Sequence, residues 1–239
     1  MDSFEELGLA SELVEALASE GIERPTPFQE SAIPVLCRGN NLVAAAGPGA
    51  GILVSYGAAL LERVGLEGTG VPAAVVLTPT REAARRLAES LGRLAAVTGH
   101  AVAALGSPWV LPERAHILFA TPADLRRRVD ANQVELSSVQ ALVVDGASAM
   151  EALGALEHVE SLLEALPGDA QRVVVALPMT PVVEDLATRR LRRLVHVPTR
   201  PTGQAEASPH RGTLRYRTVD EPKEDDVLAL VAELLDEGE

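Results

Sequence analysis

The hydrophobic pattern of this chain alternates. Short apolar runs at residues 42–46, 73–77, 101–105, 117–120, 141–144, 172–176 and 194–197 are each followed by a stretch with helical spacing. Runs of four or five apolar residues bounded by turn formers suit strands buried on both faces, and their alternation with helices predicts a parallel sheet. The fold class is therefore α/β, with about seven strands and helices on both faces. Composition agrees: 47% of the residues are hydrophobic but only 3% aromatic, so the core is built from Ala, Val and Leu. Ligands on such sheets sit at the carboxyl ends of the strands, which directs attention to the loops after residues 46, 77, 120, 144 and 176.

Two helices are expected before the first strand. One carries Leu13, Val14 and Leu17 and runs up to Gly21; the other follows Thr26-Pro27. From 198 to 212 the pattern breaks into Pro, Thr, Gly, Ser and Gln, so the main domain is expected over 1–197 with a linker over 198–212. The tail, 213–239, has one strand-like run (213–219) and one amphipathic helix (225–235), too little for a core of its own. It is expected to dock back, to begin a second lobe, or to exchange with another copy, making residues 213–235 a homodimer contact.

The net charge of −13 repels polyanions at long range. Of 21 basic residues only Lys223 is lysine. The clusters Arg126-Arg127-Arg128 and Arg189-Arg190, Arg192-Arg193 are the best candidates for a polyanion contact, although most such clusters are solvated helix faces. Cys37 is the one cysteine, which excludes an intrachain disulfide and a Cys-based metal cluster. No apolar run reaches the length of a membrane span, and the acidic opening lacks a secretory pattern, so a cytoplasmic protein without membrane contact is expected.

Three motifs then stand in order. Gly21-Ile22-Glu23-Arg24-Pro25-Thr26-Pro27-Phe28-Gln29, with Phe4 upstream, resembles the adenine-reading Q motif of the DEAD-box RNA helicases. Pro79-Thr80-Arg81-Glu82 resembles their PTRE motif, and Thr121-Pro122-Ala123-Asp124-Leu125 is similar to TPGRL, with Asp124 in place of the arginine. The order matches across residues 1–197, so the chain resembles the family's N-terminal RecA-like lobe. That resemblance implies nucleotide contacts at Phe4, Arg24, Thr26, Gln29, Gly47 and Gly49. It also implies RNA backbone contacts at Pro79, Thr80, Arg81, Gly106, Thr121 and Pro122, to which the arginine cluster adds Arg126 and Arg127. Read without the resemblance, Thr26 to Gln29 is a capping box with proline at the first helical position, Phe4 suits a core, and Arg81 suits an ion pair with a carboxylate at a helix start.

Ala44-Ala45-Ala46-Gly47-Pro48-Gly49-Ala50-Gly51 sits where the family places its phosphate-binding loop. Phosphoryl transfer uses a lysine on the phosphates and a hydroxyl on magnesium, and those positions match Ala50 and Gly51. Asp145-Gly146-Ala147-Ser148 aligns with the DEAD tetrad: Gly146 stands for the glutamate that positions water, and Ser148 for the last aspartate. Asp145 is read as satisfying backbone N–H groups at a loop. Ala176-Leu177-Pro178 stands where Ser-Ala-Thr would be. The expectation is no catalytic residue, no magnesium site, and weak binding of ATP or ADP at most. The readings carried forward are an inactive lobe that binds RNA weakly or a protein partner such as a second lobe, a non-hydrolysing nucleotide sensor, and an ATP-dependent helicase that needs a second lobe.

Overall fold

In the computed structural model, residues 3–66, 72–106 and 114–197 are described. The expectations for the linker, the tail and the homodimer contact lie outside them.

The chain opens with α1 (Ser11–Ser19) and α2 (Pro27–Cys37), and then alternates. β1 (Leu42–Ala45) leads to α3 (Ile52–Arg63), β2 (Ala74–Leu77) to α4 (Arg81–Thr98), and β3 (Val102–Ala104) to β4 (Ile117–Ala120). After α5 (Pro122–Asp130) come β5 (Ala141–Asp145), α6 (Ala147–Ala152), α7 (Leu156–Ala165), β6 (Gln171–Ala176), α8 (Pro181–Arg190) and β7 (Val195–Val197). The sheet has seven strands in the order β3-β4-β2-β5-β6-β1-β7, every pairing parallel. This is the α/β architecture that the alternation predicts.

The period-two alternation of strands divides the core into two layers. Ala74, Val76, Ala141 and Val143 join α1, α2, α3 and α4 on one face. Val75, Leu77, Leu142 and Val144 join α5, α6, α7 and α8 on the other. Fully burying one such valine or leucine stabilises by about 1.5–3 kcal/mol, so the two layers dominate the energetics.

The helices that start at the carboxyl end of the sheet fall into two kinds. Thr80, Thr121 and Thr180 cap α4, α5 and α8, accepting hydrogen bonds from the backbone N–H of Ala83, Asp124 and Val183. By contrast α3 and α6 begin at Gly51 and Gly146, both left-handed and without a side-chain cap. β6 lies between β5 and β1, which gathers the loops after these three strands into one place. β2 and β4 are neighbours and gather their loops into another.

Candidate functional site: a cleft and an arginine groove

The first gathering forms a cleft of about 740 Å³. Its walls are the glycine loop (Ala46 to Gly49, and Gly51), the start of α3, Pro79, Leu87, Asp145, Gly146 and Leu177. Arg86 and Asp145 are the charged residues among its lining.

The glycine loop is tied down from the side of α2. Thr26 Oγ1 donates to the Ala50 carbonyl at 2.7 Å, and Gln29 Nε2 donates to the Gly51 carbonyl at 3.2 Å. Gln29 Oε1 accepts from the Thr26 N–H at 2.8 Å, and Thr26 Oγ1 accepts from the Gln29 N–H at 3.2 Å, closing a reciprocal capping box. Gln29 is 2% exposed, and its carboxamide is engaged at both ends. It also fills the space a side chain at residue 51 would take: a Cβ built on Gly51 would lie 2.2 Å from Gln29 Nε2.

Asp145 ends β5 and points to α3. Its Oδ2 accepts a hydrogen bond from the Tyr56 hydroxyl at 2.9 Å. The reading that Asp145 serves backbone N–H groups is therefore corrected: its partner is a buried side chain from another helix, brought near by the sheet order. Burial raises the Asp145 carboxyl above its ordinary value, while the Tyr56 hydrogen bond works in the opposite direction. Burial, and after it the charge of Asp145, pushes the Tyr56 phenol up as well. Ser148 links this strand end to the next: its hydroxyl donates to the Leu177 carbonyl at 3.0 Å and accepts from the Leu177 N–H at 3.3 Å.

The remaining nucleotide candidates scatter. Phe4 is 1% exposed and packs in the core, so no ring face is open for stacking a base. Arg24 is exposed, and neither residue is among those that line the cleft. Gly47 and Gly49 do line it.

The second gathering is a groove of about 360 Å³ lined by Arg81, Glu82, Arg85, Gly106, Asp124, Arg127 and Arg128, with Ala104 and Leu105 beneath. Arg81 places its fork on Asp124, Nε to Oδ2 at 2.6 Å and Nη2 to Oδ1 at 2.7 Å. Arg127 reaches the same carboxylate from one turn along α5. The Arg81 hydrogen bond is the largest of the causes that hold Asp124 down to about 2. Arg85 is held by Glu82 and Glu89, and Arg128 by Gln133. Arg126 points elsewhere, to Asp130 and to Ser161 on α7, which removes it from the groove. Of the second arginine cluster, Arg189 and Arg190 pair with Glu160, and further with Asp185 and Glu164. Thr80, Thr121 and Pro122 are the caps and first turns of α4 and α5.

Sequence reasoning did not single out Tyr56, Arg85 or the covering role of Leu177. Tyr56 carried a signal: it is one of two tyrosines, in a mostly apolar stretch five residues past the glycine loop. A buried phenol needs a hydrogen-bond partner.

Residues 26–200 match the DEAD/DEAH box helicase family. The chain is 31% identical over 193 residues to the ATP-dependent RNA helicase CshA of Limosilactobacillus reuteri, covering 78% of this chain and 39% of that protein. It superposes with a TM-score of 0.76 on a DEAD box protein from Methanococcus jannaschii, at 25% identity over 82% of this chain and 55% of that one. The RNA helicase Prp28 from Chaetomium thermophilum, solved with ADP bound, gives a TM-score of 0.75 at 25% identity, covering 100% of this chain and 58% of that one. The chain thus spans about two fifths of the length of the curated relatives it matches. With the helicase motifs in their order on a seven-stranded parallel sheet, and with this match across most of its length, the chain belongs to the DEAD/DEAH box helicase family.

Proposed function

We propose that this chain is a DEAD-box lobe that does not turn over ATP and serves as a binding module, with a protein partner favoured over RNA. One observation carries the reading: the cleft offers no lysine for phosphates and no hydroxyl at residue 51 for a metal, and of its two charged residues, Arg86 and Asp145, the carboxylate is already bonded to Tyr56. Ala50 and Gly51 supply no functional side chain, Gln29 is bonded at both ends, and Asp145 accepts from Tyr56. Lewis-acid help and a positioned water are what this reaction class requires. An adenine nucleotide with magnesium does not fit this donor set, so no step of phosphoryl transfer is assigned to it. The missing lysine alone is worth about tenfold to a hundredfold in affinity. On the groove side, Asp124 ties up Arg81 and Arg127 in a chain of net charge −13, which disfavours RNA.

A nucleotide sensor is the second reading, favoured by the size of the cleft. Phosphate release with and without single-stranded RNA, beside titration of labelled ADP with and without magnesium, separates the two. No release above buffer and no saturable ADP binding is the expected result. Saturable binding without release would support the sensor, and release that Asp145→Ala abolishes would overturn both.

A further inference from the structure

We infer that the Asp124 carboxylate is the built-in occupant of an anion site, and that this one residue keeps phosphodiester backbones out of the arginine groove. The site is made by two helix starts. Thr80 and Thr121 cap α4 and α5, and the first turns of these helices bring Arg81 and Asp124 together. Free N–H groups at helix starts and nearby guanidinium groups both favour a negative charge. Asp124 satisfies that preference: it sits at the third position of α5, takes the two-pronged fork of Arg81, and is reached by Arg127.

A guanidinium fork binds a carboxylate and a phosphate with the same two-oxygen geometry. What holds Asp124 would hold a phosphodiester equally, if the carboxylate were not there. The space for one adjoins it: the groove is open, about 360 Å³, and also lined by Arg85, Arg128 and Gly106. Four guanidiniums face the carboxylates of Asp124 and Glu82, with Glu89 also engaging Arg85. Arg85 is held within its own helix, and Arg128 pairs with an uncharged glutamine. Asp124 is thus the acid that neutralises the centre of the groove. An isosteric amide at residue 124 leaves Arg81 and Arg127 without their counter-charge, and the groove becomes a cationic track for a single strand.

The test uses the full chain, a fluorescent single-stranded oligouridylate and no nucleotide, so its result is independent of ATP turnover. Asp124→Asn is expected to bind at least about tenfold more tightly than the parent. Two newly available phosphate contacts, at about 0.7 each for single strands, make the slope of log affinity against log salt steeper by about 1.4. Adding Arg81→Glu to Asp124→Asn is expected to remove the gain. Urea denaturation of each variant checks the fold, and Asp124→Ser provides a second uncharged residue. The inference is overturned by a folded Asp124→Asn with unchanged affinity and slope, or by a gain that survives Arg81→Glu. A parent that already binds with the steeper slope overturns it too, as does loss of fold in both uncharged variants, which would make Asp124 a stability element instead.

Discussion

The cleft and the groove lie at the same end of one sheet, and each falls short of what anion binding would use for a different reason. In the cleft the side chains themselves are missing. Ala50, Gly51 and Gly146 offer no functional group, and the backbone has settled where glycine is at ease, with φ of +79° at Gly51 and +91° at Gly146. In the groove four arginines are present, although Asp124 stands in place of the motif's own, and its carboxylate covers two of them. A masked charge is uncovered by changing one group. A missing side chain around which the backbone and its neighbours have rearranged is not restored by putting that side chain back.

Gly51→Thr tests that difference most sharply. A β-branched residue at φ +79° is strained, and its Cβ would meet Gln29 Nε2 at 2.2 Å. Gln29 must then swing away and leave the Gly51 carbonyl and the Thr26 N–H. The expected cost is about 2–4 kcal/mol of stability, from backbone strain plus lost hydrogen bonds. Urea denaturation of Gly51→Thr beside Gly51→Ala and Gln29→Ala reads it, with Gly51→Thr the least stable of the three. A loss under about 1 kcal/mol would mean that the loop accepts the side chain, and the contrast between missing and masked groups would collapse.

The two carboxylates sharpen the comparison through pH. Asp124 is held below its ordinary value, so its contribution to stability is present above the usual carboxylate range and is lost as pH falls towards about 2. Asp145 is shifted the other way by burial, so the folded state binds its proton more tightly, and stability falls as pH rises through the interval between the two values. Tyr56→Phe removes the hydroxyl that partly offsets this burial. It widens the interval and leaves a buried carboxylate without that donor. The expected penalty is about 1–3 kcal/mol near neutral pH and shrinks as pH falls through the carboxylate range, where the carboxyl takes up its proton. A penalty that does not change with pH would show that Asp145 carries no charge that Tyr56 relieves.

What the sequence disclosed follows the distance over which each interaction acts. The seven strands were legible because buried parallel strands need continuous apolar runs, and the observed boundaries fall within one residue of the expected ones. At β6 the one-residue difference has a physical cause: Gln171 is polar but starts the strand, because Arg63 and the carbonyls of Leu36 and Asn40 satisfy its buried amide. The capping box was legible because it joins residues three apart. An ion pair for Arg81 could be foreseen as a type, but Asp124 lies 43 residues away, and its substitution read only as a weakened motif. Tyr56 and Asp145 are 89 residues apart, and the sheet order that brings them together was beyond reach from local pattern.

The smallest effect comes from Leu177, which stands over the glycine loop where the motif has a smaller residue. It is 53% exposed, so burial does not fix it in place. A Cβ on Gly47 would nevertheless fall 2.3 Å from Leu177 Cδ2. Because the clash is with the end of an exposed, rotatable side chain, Gly47→Ala is expected to cost less than about 1 kcal/mol. That cost is a repulsion between two named groups, so it should vanish when Leu177→Ala is made first. A double-mutant cycle in urea measures it as a coupling energy between the loops after β1 and β6. A cost that persists in the Leu177→Ala background would place the constraint in the loop's own backbone. The cleft would then be shaped from within, as at Gly51, and not by the side chain that covers it.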